Sequence, residues 1–93
     1  MTDLDILKQL PEWSIAQQKL HREFEFKDFI QAFGFMAQVA MICEKMNHHP
    51  QWSNVYKCVV VDLTTHSKDC ITQLDIDLAV HMNEIFQNIK ITE

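Results

Sequence analysis

The segment from Phe29 to Met46 most constrains what this chain can fold into. Phe29, Ile30, Phe33, Phe35, Met36, Val39, Met41 and Ile42 spread over most of its helical surface instead of keeping to one stripe. Asp28 is placed to cap the segment, and Asn47, followed by His48-His49-Pro50, ends it. A helix this apolar has to be covered on more than one side. With 93 residues there is one domain, expected to span 1–93, and a modest core to cover it with. Gly34 inside the helix costs about 1 kcal/mol relative to alanine, and close approach of another backbone is the expected compensation.

The rest of the chain supplies covering layers. Leu4, Leu7 and Leu10 recur every third residue until Pro11, which predicts a short first helix. Trp13 to Ile15 and Leu20 to Phe26 run nearer to period two. Leu20, Phe24 and Phe26 share one face, with His21, Glu23 and Glu25 opposite, and Arg22 interrupts the alternation. The two strands pair as a hairpin across Gln17 to Lys19, a turn without glycine. Val55 to Leu63 is rich in β-branched residues and apolar on both faces, and a break at Tyr56-Lys57 divides it into two strands. Thr72 opens a last helix with Asp75 at the capping-box position and a stripe of Leu74, Leu78, Met82, Ile85 and Ile89. The expectation is an α+β fold of order α-β-β-α-β-β-α: a four-stranded antiparallel sheet with helices packed on one face.

Composition removes several function classes. Net charge is −5 and the basic residues are scattered, so no concentrated footprint for nucleic acid exists. No apolar run reaches the ~20 residues of a membrane span, and the acidic start Met1-Thr2-Asp3-Leu4-Asp5 is unlike a signal peptide. A soluble, cytoplasmic protein is expected. Cys43, Cys58 and Cys70 are odd in number and lack a Cys-x-x-Cys pair, which fits reduced, buried thiols.

The titratable groups gather at element ends. His48 and His49 leave the long helix, where proline extends the chain, so their side chains need not share a face. His66 follows the valine-rich strand through Thr64-Thr65. Imidazoles close together disfavour one another's protonation, which suits acid–base work near neutral pH. Glu44, one turn before His48, can orient an imidazole, and Asp75 can do so or serve as a cap. His21 and His81 read as structural. A metal site lacks its spacing signature, with neither an i, i+4 histidine pair nor Cys-x-x-Cys, so no metal and no cofactor are expected.

The spaced set Glu44-x3-His48-His49-Pro50-x5-Tyr56-x9-His66-x8-Asp75 resembles the signature of the pterin-4a-carbinolamine dehydratases, also called dimerisation cofactors of a homeodomain transcription factor. Trp13, Phe24 to Phe29, Ala32 to Met36 and Trp52 to Tyr56 extend the resemblance over nearly the whole chain. It departs at Lys68-Asp69-Cys70, where many members carry a glycine-containing loop. The resemblance implies dehydration of 4a-hydroxytetrahydropterin to quinonoid dihydropterin, recycling the cofactor of aromatic amino-acid hydroxylases without metal or organic cofactor. It implies His48, His49 and His66 as catalytic residues: His48 and His66 as the acid–base pair, His49 positioning the ring. Glu44, Trp52 and Asp75 become substrate-binding or orienting residues, with Trp52 a pocket wall. A homodimer or homotetramer is implied. The alternative within the family is a non-catalytic binding partner or scaffold.

Overall fold

The computed structural model describes residues 2–91, so Met1, Thr92 and Glu93, the outermost positions of the expected 1–93 domain, lie outside it. Its elements are α1 (Asp3–Gln9), β1 (Ser14–Ala16), β2 (Lys19–Glu25), α2 (Phe29–Met46), β3 (Gln51–Val55), β4 (Cys58–Leu63) and α3 (Gln73–Ile91). The expected order and the four-stranded antiparallel sheet are both present.

The strand order is β1-β2-β4-β3. Two hairpins are joined by α2, and the second inserts its β4 beside β2. The register sets Leu20 against Leu63, Phe24 against Val59 and Trp52 against Val61. Leu20, Phe24, Val59, Val61 and Leu63 are thereby buried together on the helix side of the sheet. Burial of a side chain of this size contributes about 1.5–3 kcal/mol. Arg22 occupies an inward slot of the same alternation. Its guanidinium lies 4.4 Å from the Phe24 ring centre and 5.1 Å from that of Phe86, and it donates to Asn83. A long stem and a stacked head explain how a cation fits where the pattern asks for an apolar residue.

The β1–β2 hairpin turns on Gln17 and Gln18, with φ of 54° and 61°. Left-handed backbone at both positions matches the right-handed strand twist, so the turn geometry overrides the missing glycine at some conformational cost. The β3–β4 turn uses Tyr56 at φ 51° and is clasped by Asn54, whose amide donates to the carbonyls of Tyr56 and Cys58.

Three helical details differ from expectation. In α1, Ile6 and Leu10 are buried while Leu4 is 65% exposed, so the i, i+4 pair faces the core and not the i, i+3 series. In α3 the buried face is Asp75, Ile76, Leu78, Ala79 and Met82, and Leu74 is exposed. In α2 only Ala32, Phe35, Val39 and Cys43 are buried, while Phe29, Ile30, Phe33 and Met41 face outward. A methyl group added at Gly34 would meet nothing within 4 Å beyond its own helical turns, so among the described residues no other element makes the expected close approach.

Candidate active site

The end of α2 fixes the position of the histidine pair. Asn47 adopts the left-handed conformation, φ 53° and ψ 45°, and its N–H donates to the carbonyls of Cys43 and Glu44. The N–H of His48 donates to the Cys43 carbonyl at 3.0 Å. These paired bonds close the helix as a Schellman motif and turn the chain sharply at His48. Asn tolerates that conformation better than most residues that carry a Cβ. Pro50 then commits the chain to β3.

His48 turns inward. It is 9% exposed, and its Nε2 lies 2.6 Å from Oδ1 of Asp75, which has no exposed surface. Asp75 Oδ2 accepts from the Thr65 hydroxyl at 2.8 Å and from the Thr72 N–H at 2.9 Å. A buried carboxylate is tolerated only with such donors, and among the described residues no buried side-chain polar atom is left without a partner. Asp75 thus does both things the sequence allows. Oδ2 completes half of a capping box on Thr72, and Oδ1 holds an imidazole. The other half of the box is missing because the Thr72 hydroxyl is engaged with Thr65, 2.7 Å away.

His49 turns outward. Its Nε2 lies 2.8 Å from Glu44 Oε2, with both side chains more than half exposed. Glu44 therefore orients His49 and not His48. His66 is exposed in the turn after β4 and its imidazole makes no hydrogen bond to a described residue. The turn is closed by Thr65 N–H to the Cys70 carbonyl and by Lys68 N–H to the Thr65 carbonyl, each 3.0 Å. Asp69 takes a positive φ of 51° in this turn. His66 is tied to the His48–Asp75 pair through its neighbour Thr65. Trp52 is half-buried against the core and lines a depression of about 310 Å³ with Gln51, Ser53, Val60 and Asp62. No ring contact or hydrogen bond joins it to the three histidines among the described residues.

Sequence reasoning missed the hydroxyls of Thr65 and Thr72. The signal available was Thr-x-x-Asp spacing at 72–75 together with a threonine preceding His66. It also set His21 aside. His21 Nδ1 lies 2.9 Å from Asp62 and Nε2 lies 3.2 Å from Glu23, on the sheet face away from the helices. The Asp62 hydrogen bond, above all, raises the His21 pKa against a smaller desolvation effect. Among the described residues, no group of three or more His, Cys, Asp or Glu side chains is arranged to hold a metal ion, and no helix is long and apolar enough to cross a membrane.

The family model described as pterin 4 alpha carbinolamine dehydratase matches residues 2–85. A protein of Rhodopseudomonas palustris, provisionally named pterin-4-alpha-carbinolamine dehydratase, is 54% identical over 90 residues, covering 91% of this chain and 89% of that protein. One of the same provisional name from Prochlorococcus marinus is 49% identical over 83 residues, covering 89% and 86%. The crystal structure of a transcriptional coactivator/pterin dehydratase from Brucella melitensis superposes with a TM-score of 0.85 at 43% identity, over 91% of this chain and 96% of that one. A pterin dehydratase-like protein identified as a RuBisCO assembly factor in the alpha-carboxysome superposes at 0.66 with 17% identity, over 80% and 86%, a likeness of fold alone.

Proposed function

The chain belongs to the pterin 4 alpha carbinolamine dehydratase family, and from that premise we propose that it removes water from 4a-hydroxytetrahydropterin to give quinonoid dihydropterin by histidine acid–base catalysis. The bond that breaks is C4a–O. The leaving hydroxide takes a proton from one imidazole, and the N5–H proton passes to another, so the products are water and the dihydropterin. The product would then be reduced for reuse by aromatic amino-acid hydroxylases.

The observation that carries the reading is the buried 2.6 Å contact between His48 and Asp75. A carboxylate behind an imidazole holds its tautomer and stabilises the imidazolium formed when the ring takes a proton. That suits His48 to the base role at N5 and leaves His66, unencumbered and exposed, as the acid. His49, braced by Glu44, would position the ring, and Trp52 would flank it. The chemistry is proton transfer, for which these side chains are sufficient.

Stopped-flow dehydration of a 4a-carbinolamine tests the reading. Wild-type protein should exceed the buffer rate, and a folded His48→Ala variant should fall toward it. Wild-type turnover equal to buffer would leave the second reading, a non-catalytic scaffold. The observation favouring that reading is the outward apolar face of α2, with Phe29, Ile30, Phe33 and Met41 exposed. The same face suits assembly into a homodimer or homotetramer that is also an enzyme.

A further inference from the structure

We propose that Thr65 is a positioning residue that sets which nitrogen of His48 exchanges the proton, and that it ties the two catalytic histidines into one unit; this rests on the dehydratase reading above. A threonine hydroxyl has one proton to donate. Thr65 gives it to Asp75 Oδ2 at 2.8 Å, so at its 2.7 Å contact with Thr72 it accepts. The hydroxyls therefore run in one direction, from Thr72 to Thr65 to Asp75. The Thr72 N–H arrives at the same carboxylate oxygen at 2.9 Å. With Oδ2 receiving two donors, Asp75 is held as an acceptor, and Oδ1 accepts a hydrogen bond from His48 Nε2–H at 2.6 Å. The neutral ring then carries its hydrogen on Nε2. Nδ1 keeps the lone pair, and it is the atom that meets substrate.

Thr65 is well fixed for this task. It is 8% exposed, and its backbone is bonded on both sides, N–H to Cys70 and carbonyl to Lys68. It also directly precedes His66. Thr65 thus holds the Asp75 carboxylate through its hydroxyl and the His66 turn through its backbone, which links residues 48 and 66 without any contact between their rings.

The test uses intact protein in two measurements. First, the imidazole nitrogen shifts of His48 are read by NMR in wild type, Thr65→Val and Thr65→Ser. The neutral wild-type ring should be protonated on Nε2, Thr65→Val should populate the other tautomer, and Thr65→Ser should resemble wild type. Second, dehydration kinetics are measured on the same samples. Thr65→Val should lower kcat about tenfold to a hundredfold, the equivalent of one lost hydrogen bond to a charged group, with KM changed less than about twofold. Thr65→Ser should recover most of the rate. A folded Thr65→Val with wild-type kcat and tautomer overturns the proposal, as does a loss that serine does not rescue. If Thr65→Val fails to fold, a wild-type ring protonated on Nδ1 is still decisive against it. Absence of wild-type turnover would instead sink the dehydratase reading, and the tautomer would still decide the role of Thr65.

Discussion

His48 Nε2 and Asp75 Oδ1 meet at 2.6 Å although 27 positions separate them in sequence. One residue is delivered by the close of α2 and the other by the first turn of α3, so the contact exists only when the two helices are docked on the sheet. The pair is therefore a joint of the fold as well as a candidate piece of chemistry. Asp75→Asn tests the two roles separately. The amide keeps shape and one acceptor but cannot stabilise an imidazolium. We expect kcat to fall about 10²-fold or more by loss of acid–base support. Urea unfolding should show a cost of about 1–3 kcal/mol for the imperfectly paired buried group. A stability loss with unchanged kcat would reduce Asp75 to a cap.

The histidine triad should divide by role. His48→Ala and His66→Ala should each lose about 10²–10⁴ in kcat, the range for a general acid or base. The double variant should lose much less than the product of the two, because groups acting in one transition state are not additive. His49→Ala should raise KM more than it lowers kcat, since its Glu44 pair is exposed and can position but not drive the reaction. His81, exposed on α3, is the silent control. Near-wild-type turnover in a folded His48→Ala, His66→Ala protein would remove the mechanism.

The fold was largely legible because its signals are local. Period-two runs, the Asp28 cap, the Asn47 stop and the Tyr56-Lys57 break each act over a few residues, and each marks a true boundary. The helical faces were less legible. Leu4-Leu7-Leu10 has a tidy spacing, yet Ile6 points inward, because the docking angle of a short helix is set by what it packs on. The site divides the same way. Proximity in sequence reveals the His48-His49 step and its sharp turn. It does not reveal that Glu44 serves His49 while Asp75 serves His48, since that depends on where α3 lands. The Thr65 hydroxyl was only faintly legible for the same reason: a threonine just past a strand end is ordinary until a buried carboxylate faces it.

His21 sets a pH dependence for stability unrelated to turnover. It bridges β2 and β4 through Asp62 and also meets Glu23; Lys19, two residues earlier on the same face of β2, is engaged with Gln51. Its folded pKa is raised above 6.5, mainly by the Asp62 hydrogen bond. A raised folded pKa means the folded state holds the proton more tightly than the unfolded chain. The contribution is then fully present below about pH 6.5 and is lost as pH rises through the folded value. His21 is about one-third exposed, so the effect is modest. Urea midpoints of wild type and His21→Gln should differ most at the acidic side of this window and converge above it. A gap that widens with rising pH would contradict the assignment.

The outer face of α2 carries the prediction of assembly. Phe33 is 59% exposed, Met41 69% and Ile30 80%, and the Phe29 and Phe33 rings touch at 5.7 Å between centres. Contiguous apolar surface on a small domain marks an interaction site. Sedimentation at micromolar concentration should show an oligomer, and Phe33→Glu with Met41→Glu should shift it to monomer with the helical circular dichroism retained. Gly34 sharpens the test. Among the described residues, nothing outside its own helical turns lies within 4 Å of the methyl it lacks. In the isolated monomer, Gly34→Ala should therefore stabilise by about 1 kcal/mol, the difference in helix propensity. If a second copy packs its backbone against this position, the same methyl stands in the interface and Gly34→Ala should weaken association while strengthening the monomer. Opposite signs in the two measurements would identify the face that meets its partner. Unchanged association with a stabilised monomer would place the interface elsewhere, and a clean wild-type monomer would remove assembly through α2 altogether.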